Sequence, residues 1–195
     1  MMADSTAQHG TLLVLCGPAG VGKSTISRRL SEMMKLTYAV SDTTRPQVDA
    51  DKVGKKYHQV SEAEFFNLLD HDEFLEYAQV HGHYYGTPKH PTVDQIAAGQ
   101  DVLLEIDVQG ALQVRQQYPD ALLIFVLPPD EPTLLKRLED RKRDTPEEIS
   151  RRFRNAKREI QMAKGARAFD FWVVNDQVEG AVNRIRDFLR QHRGR

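Results

Sequence analysis

The chain has 195 residues, with 27 Lys and Arg against 28 Asp and Glu, a formal net charge of −1 and 40% hydrophobic residues. This length favours one domain with its own hydrophobic core. The charge balance excludes a protein that holds a nucleic acid polymer or an anionic membrane by bulk charge. The longest apolar run, residues 121–127, is much shorter than the ~20 residues that cross a bilayer.

The cysteine content and the first residues indicate the compartment. Cys16 is the single cysteine, so no internal disulfide can form, and residues 1–10 lack the basic start and apolar centre of a secretion signal. We therefore predict a cytoplasmic protein with a disordered tail over residues 1–10, followed by one domain over residues 11–195. The oligomeric state stays open.

Short, continuous apolar runs predict strands that are buried on both faces. In chain order they span residues 11–16, 37–41 (the weakest), 102–107, 121–127 and 171–174. Helical patterns separate most of these runs, and this alternation indicates a parallel sheet built from βαβ units. Residues 42–91 break the alternation, because they are richer in Gly, Tyr, His and charged residues. We interpret them as an insertion outside the main sheet.

The predicted helices have recognisable patterns. Residues 24–34 and 178–189 place apolar side chains at helical spacing. Residues 61–64 form a capping box, in which a serine and a glutamate three positions later satisfy the first backbone N–H groups of a helix. Residues 145–148 combine the same spacing with a proline at the first helical position, which also predicts a helix start.

Residues 17–24 match G-x-x-x-x-G-K-[ST], with a predicted buried strand before them and a helix after them. In such a phosphate-binding loop (P-loop), backbone N–H groups surround a polyphosphate at the positive end of a helix dipole. The lysine neutralises the β- and γ-phosphates, and the last hydroxyl is placed to bind Mg²⁺. The predicted ATP- or GTP-binding residues are Gly17, Pro18, Ala19, Gly20, Val21, Gly22, Lys23 and Ser24, with Ser24 as the Mg²⁺ ligand.

Seven segments, taken in their order and spacing, resemble those of the guanylate kinase family over residues 11–189. They are GPAGVGKST (17–25), SDTTR (41–45), FLEYAQVHGHYYGT (74–87), LEIDVQG (104–110), LPPDEPTLLKRLEDR (127–141), ISRRF (149–153) and VVND (173–176). The resemblance implies an α/β fold: a P-loop parallel sheet core with an inserted mixed α/β GMP-binding lobe (residues 42–91) and a helical lid (residues 134–157). It also implies transfer of the γ-phosphoryl group of Mg·ATP to GMP or dGMP, giving ADP and GDP.

Guanine presents N1–H and an exocyclic amine, so a protein that reads this base needs fixed hydrogen-bond acceptors. Carboxylates and hydroxyls suit that task, whereas arginine and phenolic groups suit the phosphate of the acceptor. The resemblance implies contacts to the base from Ser41, Glu76, Thr87 and Asp107, and to the phosphate from Arg45, Tyr57 and Tyr85. Asp107 or Glu105 could also hold Mg²⁺ through water, and the sequence does not separate these roles.

Residues 134–167 hold 12 Lys and Arg against 6 Asp and Glu, although the whole chain is nearly neutral. Two interpretations fit this window: helix faces exposed to solvent, and a lid whose arginines stabilise charge on the transferred phosphoryl group. The spacing of Glu148 and Arg152 also fits an ordinary i,i+4 ion pair. The resemblance implies catalytic roles for Lys23, Arg45, Arg137, Arg141 and Arg152, and an ATP contact for Asn175.

One departure from the family pattern concerns the acceptor phosphate. The family carries a second arginine three residues after the first, and Val48 stands at that position, after Arg45. Either Lys52, Lys55 or Lys56 replaces the missing charge, or GMP binds more weakly; we hypothesise a raised KM for GMP with the activity retained. Two alternatives stay open: a P-loop kinase for another small phosphorylated acceptor, and a non-catalytic guanylate-kinase-like binding module.

Overall fold

The computed structural model describes residues 9–46, 57–80, 82–140 and 145–193. The strands are β1 (Leu12–Cys16), β2 (Thr37–Tyr38), β3 (Ser41–Thr43), β4 (Tyr57–Gln59), β5 (Phe74–Val80), β6 (His83–Pro88), β7 (Val102–Ile106), β8 (Leu122–Leu127) and β9 (Phe171–Val174). The helices are α1 (Lys23–Met34), α2 (Glu62–Asp70), α3 (Lys89–Ala97), α4 (Val108–Gln117), α5 (Glu131–Glu139), α6 (Pro146–Ala166) and α7 (Val178–Arg193). The strands form two sheets, with the orders β2-β7-β1-β8-β9 and β4-β3-β6-β5.

The first sheet is parallel throughout, and β1 lies at its centre. Alternate side chains of β1 enter two separate apolar layers. Leu12 and Val14 pack with residues of α4 and α6, whereas Leu13 and Leu15 pack with residues of α1 and α7. Burial on both faces is the reason that this strand is a continuous apolar run in the sequence. The predicted parallel core is confirmed.

The predicted strand over residues 37–41 is partly wrong. Thr37 and Tyr38 pair with β7, but Ser41 already belongs to β3 in the second sheet. Val40, between the two strands, is 44% exposed, so the apolar stretch is not one buried strand. The chain passes from one sheet to the other at this point. The other four predicted strands agree with β1, β7, β8 and β9 within one residue at each end.

The second sheet is mixed: β3 and β5 are antiparallel to β6, and β4 is parallel to β3. Helix α2 covers it and begins at the predicted capping box, in which Ser61 and Glu64 each accept a backbone N–H of the other. The Phe65 ring of α2 stacks on Phe74 at 4.6 Å between ring centroids, and the Tyr84 ring lies 5.5 Å from Phe65. These rings form a small apolar core beneath the second sheet.

Helices α5 and α6 lie beside the P-loop. Leu134 and Leu138 of α5 pack against Ala156 of α6, and Ala19 of the P-loop contacts this cluster. The apolar contact connects the basic segment of the chain directly to the P-loop.

Helix α6 joins this cluster to the main core. It begins at the predicted capping box of Thr145 and Glu148, and it continues for 21 residues. Near its other end, Ala163 is buried in the core layer that contains Leu12 and Val14. One continuous helix therefore packs both against the cluster beside the P-loop and against the core of the main sheet.

The chain is held in place from Gly10 onward, because Gly10 donates its backbone N–H to the carbonyl oxygen of Ile96 at 2.8 Å. Gly10, which was predicted to belong to the disordered tail, is therefore hydrogen-bonded to the domain, and residues 1–8 of that predicted tail lie outside the described residues. Among the helices that the structure describes, none has the length and apolar character needed to cross a membrane.

Candidate active site

The P-loop connects β1 to α1 at the carboxyl end of the main sheet, where ligands of open parallel sheets bind. Gly22 caps α1 with a φ of 95°, a left-handed conformation that glycine adopts without strain. The ammonium group of Lys23 donates to the carbonyl oxygens of Gly17 and, at 3.2 Å, Pro18. The lysine charge is therefore held over the loop, where a polyphosphate requires neutralisation.

Two serines of α1 are joined to the carboxylate at the end of β7. Ser24 donates its hydroxyl to Glu105 Oε1 at 2.6 Å, and Ser27 donates to Glu105 Oε2 at 2.7 Å. Both carboxylate oxygens are thereby oriented next to the P-loop. A serine hydroxyl and carboxylates are the hard oxygen donors that Mg²⁺ prefers, so these residues fit that cation.

Asn175, which directly follows β9, supports the P-loop from the other side. Its side-chain amide is buried and donates to the carbonyl oxygen of Val21 at 2.8 Å. Arg137 of α5 donates from Nη2 to the backbone carbonyl oxygen of Asn175 at 3.0 Å. Asn175 Oδ1 and Arg137 Nη1 are both buried and have no hydrogen-bond partner among the described residues. A ligand that reached these two atoms would satisfy one buried acceptor and one buried donor beside the P-loop.

A chain of side-chain hydrogen bonds crosses the second sheet. Thr87 of β6 donates its hydroxyl to Glu76 Oε1 of β5 at 2.5 Å, and Ser41 of β3 donates to Thr87 Oγ1 at 3.0 Å. Glu76 is 6% exposed. Burial raises the pKa of Glu76 to about 7, although the hydrogen bond from Thr87 acts in the opposite direction. Three of the predicted base contacts are thus connected to one another.

The fourth predicted base contact, Asp107, comes from the main sheet. It caps α4, where its Oδ1 accepts the backbone N–H of Gly110 at 2.9 Å. Its charge lies near enough to Glu76 to contribute to the raised pKa of that carboxyl group. A Cβ atom on Gly110 would stand 3.0 Å from Glu76 Oε2, so glycine is what allows this approach. The carboxylates of Asp107 and of Glu76 therefore both lie close to Gly110.

The residues predicted to contact the acceptor phosphate also lie together. Tyr57 of β4 and Tyr85 of β6 form an edge-to-face pair with ring centroids 5.7 Å apart. Burial raises the pKa of the Tyr57 hydroxyl, and the nearby guanidinium of Arg45 opposes this shift. His58 donates from Nδ1 to Asp42 Oδ1 at 3.0 Å and so ties β4 to β3 beside Tyr57.

Comparison with known proteins shows the family to which a chain with these residues belongs. A family model described as guanylate kinase matches residues 9–192. The chain belongs to the guanylate kinase family. Guanylate kinases of Gloeobacter violaceus and Thermosynechococcus vestitus are each 45% identical to it; the matches cover 96% and 93% of this chain, and 91% and 94% of those relatives.

Comparison with solved structures supports membership in this family. The crystal structure of guanylate kinase from Anaplasma phagocytophilum has a TM-score of 0.73 and 30% identity, covering 96% of this chain and 88% of that chain. Shikimate kinase from Bacteroides thetaiotaomicron, at 13% identity and a TM-score of 0.52, shares the fold alone over 92% of this chain and 98% of its own.

The structure describes two of the three lid arginines that the guanylate kinase resemblance implies. Arg137 is fixed against Asn175 beside the P-loop. Arg152 is half-buried on α6, and its charge contributes to lowering the pKa of Glu148, whose main cause is the backbone N–H of Thr145. The ion-pair interpretation of Arg152 therefore has support. Arg141 and Val48 lie outside the described residues.

Two residues of the site, Ser27 and Glu159, were not predicted from the sequence. Ser27 lies one helical turn after Ser24, and this spacing was the signal that could have identified it. Glu159 of α6 is a further carboxylate of this region. Burial raises its pKa, the charge of Lys23 opposes the shift, and that of Asp107 adds to it. No local pattern connects residue 159 with residues 23 and 107.

Proposed function

We propose that this chain transfers the γ-phosphoryl group of ATP to GMP or dGMP, giving ADP and GDP or dGDP. The bond from the β,γ-bridging oxygen to the γ-phosphorus breaks, and a phosphate oxygen of the nucleoside monophosphate forms the new bond. One juxtaposition carries the proposal: Lys23 in the P-loop and Asp107 both lie at the carboxyl end of the main sheet, and the charge of Asp107 reaches the Glu76 carboxylate of the second sheet. Membership in the guanylate kinase family supports the same activity.

The donor nucleotide is assigned to the P-loop and the residues that support it. The backbone N–H groups of residues 17–24 would bind the phosphates, and Lys23 would exchange its carbonyl partners for the β- and γ-phosphates. The buried Oδ1 of Asn175 is suited to accept a hydrogen bond from ATP, since the described residues offer it no donor.

The acceptor nucleotide is assigned to the second sheet and to Asp107. Glu76 and Asp107 present carboxylate oxygens, which match the N1–H and amine donors of guanine. Ser41 and Thr87 complete the base contacts, and Thr87 also orients Glu76. The phosphate of GMP is assigned to Arg45, Tyr57 and Tyr85.

The task of neutralising charge on the transferred phosphoryl group is assigned to arginines. Arg137 lies beside the P-loop, and its buried Nη1 has no partner among the described residues, so a phosphate oxygen that reached this nitrogen would displace no existing hydrogen bond. Arg141 and Arg152 are assigned the same task from residues 134–157, acting as a lid. Closure of this lid and of residues 42–91 over the nucleotides would exclude water and limit hydrolysis of ATP.

Mg²⁺ is the cation that the donor set fits. Ser24 would bind it directly, and Glu105 or Asp107 would hold it through water. Bound there, the cation would neutralise charge on the β- and γ-phosphates. Glu105 orients Ser24, since it accepts the hydroxyl of this serine in addition to that of Ser27.

No side chain is assigned to proton abstraction. The acceptor is a phosphate oxygen that is already largely ionised near neutral pH, so positioning and neutralisation of charge are sufficient. The proposal also places the enzyme in the cytoplasm. Its support is the single cysteine, Cys16, which allows no internal disulfide, as is usual for proteins of a reducing compartment.

An ATP-coupled assay with GMP, dGMP, AMP, CMP and UMP tests the proposal. We expect turnover with GMP and dGMP and little with the other three acceptors. Turnover with a different acceptor in preference to GMP would replace the assigned substrate. Binding of GMP without turnover of any acceptor would instead favour a non-catalytic binding module.

A further inference from the structure

The two carboxylates assigned to guanine belong to different parts of the fold. Glu76 lies on β5 in the second sheet, whereas Asp107 caps α4 after a strand of the main sheet. The distance between them therefore depends on how β5 packs against α4. Their like charges oppose this approach, since the charge of Asp107 is one cause of the raised pKa of Glu76. Some interaction has to hold β5 in place.

Strand β5 is at the edge of its sheet, and β6 is its neighbour on one side. On its other side the structure describes no strand. Tyr77, the residue after Glu76, has both its N–H and its C=O on the outer side, because the two groups of one residue point the same way in a strand. The Tyr77 side chain is 44% exposed, so its own packing does little to hold the strand.

Gln113 of α4 bonds to both of these backbone groups. Its Oε1 accepts the N–H of Tyr77 at 3.0 Å, and its Nε2 donates to the carbonyl oxygen of Tyr77 at 3.0 Å. The side-chain amide thus makes the pair of hydrogen bonds that a neighbouring strand would make. One turn earlier on α4, Gly110 faces the Glu76 carboxylate and donates its N–H to Asp107. The same helix face therefore lies against both carboxylates and against β5, the strand that carries Glu76.

We propose that Gln113 is a positioning residue for guanine recognition: its amide holds the backbone of Tyr77 and so sets the Glu76 carboxylate at the correct distance from Asp107. This inference rests on the proposed function, in which those two carboxylates read the base. Gln113 acts through β5 and is not assigned any contact with GMP. The affinity for GMP and the selection of guanine depend on it, whereas ATP binding does not.

Gln113→Met keeps the length of the side chain and removes both hydrogen bonds. We expect the KM for GMP to rise at least tenfold, with a much smaller change in kcat and a KM for ATP within twofold of the unsubstituted enzyme. The preference for GMP over IMP, which lacks the exocyclic amine, should fall at least fivefold, because Glu76 is less well placed to accept from that amine. Gln113→Glu keeps the acceptor for the Tyr77 N–H and should retain part of the GMP affinity.

The matched control is Gln117→Met, one turn further along α4. Gln117 donates to the side chain of Asp72 at 3.2 Å, at the surface and outside β5. We expect its kinetic constants to stay within twofold of the unsubstituted enzyme. Hydrogen exchange at the Tyr77 amide directly measures the hydrogen bond that Gln113 accepts from it. The exchange should accelerate in Gln113→Met and stay unchanged in Gln117→Met.

The outcomes separate this inference from the function on which it rests. If the unsubstituted enzyme phosphorylates GMP and Gln113→Met has an unchanged KM for GMP, the positioning role is wrong and the function stands. A parallel rise in the KM for ATP also overturns it, because the substitution would then act on the whole fold. If the unsubstituted chain does not phosphorylate GMP, the proposed function fails, and the positioning role fails with it.

Discussion

Asn175 donates its side-chain N–H to the carbonyl oxygen of Val21 at 2.8 Å, across 154 residues of sequence. This bond ties the end of β9 to the P-loop between two glycines. Asn175 in turn accepts Arg137 Nη2 on its backbone carbonyl oxygen, so the asparagine connects a P-loop carbonyl with an arginine assigned to the phosphoryl group. A change at this residue should therefore affect both stability and ATP binding.

Asn175→Ala should lower the free energy of unfolding by about 1–3 kcal/mol, because the buried carbonyl group of Val21 loses its donor. The KM for ATP should rise about tenfold, which corresponds to about 1.4 kcal/mol, while the affinity for GMP alone stays unchanged. Urea unfolding and steady-state kinetics measure the two effects. In the control Asp176→Asn, an exposed ion pair with Arg184 is lost, and the stability should hardly change because solvent screens the pair. Equal effects of the two substitutions would contradict this prediction.

Gly22→Ala should abolish ATP binding without preventing folding of the rest of the chain. Residue 22 has a φ of 95°, and a Cβ atom there would stand 2.5 Å from Asn175 Nδ2. The new methyl group therefore displaces the side chain that supports the loop. The control is Gly165→Ala on α6, where a Cβ atom meets no atom within 4 Å, and which should stabilise the protein by up to about 1 kcal/mol. Calorimetric titration with ATP gives the result, and normal ATP affinity in Gly22→Ala would refute the steric argument.

Glu76→Gln should stabilise the free protein at alkaline pH. The folded pKa of Glu76, about 7, lies above its ordinary value of 4.5 because of burial. The stability that this group contributes is fully present below about pH 4.5 and is lost as the pH rises through about 7. At pH 8 the substitution should therefore raise the free energy of unfolding by as much as about 3 kcal/mol, while the KM for GMP rises. At pH 4.5 the two proteins should be equally stable.

Unfolding in urea between pH 4.5 and 8.5 measures this difference. The amide oxygen of glutamine can still accept the hydroxyl of Thr87, so the comparison isolates the charge. Glu139→Gln, at an exposed position of α5, is the control and should show no gain that grows with pH. A constant difference at every pH would mean that packing, and not ionisation, separates Glu76 from glutamine.

Ser24→Ala should raise the Mg²⁺ concentration for half-maximal velocity at least tenfold, because the substitution removes the hydroxyl assigned to the cation. Chelation of Mg²⁺ should abolish turnover in the unsubstituted enzyme. GMP binding in the absence of ATP should persist in both cases. The control is Ser31→Ala in the same helix, which loses a hydrogen bond to the carbonyl oxygen of Leu36, away from the loop. An unchanged Mg²⁺ requirement in Ser24→Ala would remove this serine from the metal site.

Val48→Arg should lower the KM for GMP, because it restores the second arginine that the family pattern carries at this position. One charge-assisted hydrogen bond to the acceptor phosphate contributes about 1.5–3 kcal/mol, which predicts a fall of at least tenfold. The KM for ATP should not change. Val48→Met adds size without charge and serves as the control. If Val48→Arg leaves the KM for GMP unchanged, one of the neighbouring lysines already supplies the charge.

Features formed by neighbouring residues could be predicted from the sequence. The capping boxes of Ser61 with Glu64 and of Thr145 with Glu148 each join residues three apart, so a short pattern contains the whole interaction. The P-loop is similar, since eight consecutive residues supply its amides and its lysine. Residues 37–41 show the limit: an apolar run indicates burial, but it does not say in which sheet each residue pairs.

The near-neutral composition and the basic window of residues 134–167 were already evident in the sequence, as were the P-loop, the alternating core and the residue types of both proposed nucleotide sites. Only the tertiary structure decided which side chains meet. The contacts of Ser27 with Glu105, of Asn175 with Val21 and of Gln113 with Tyr77 join residues 78, 154 and 36 positions apart. Such contacts depend on the packing of separate elements, and no local periodicity records them. The raised pKa of Glu76 has the same origin, because burial and the charge of Asp107 exist only once the two sheets have packed.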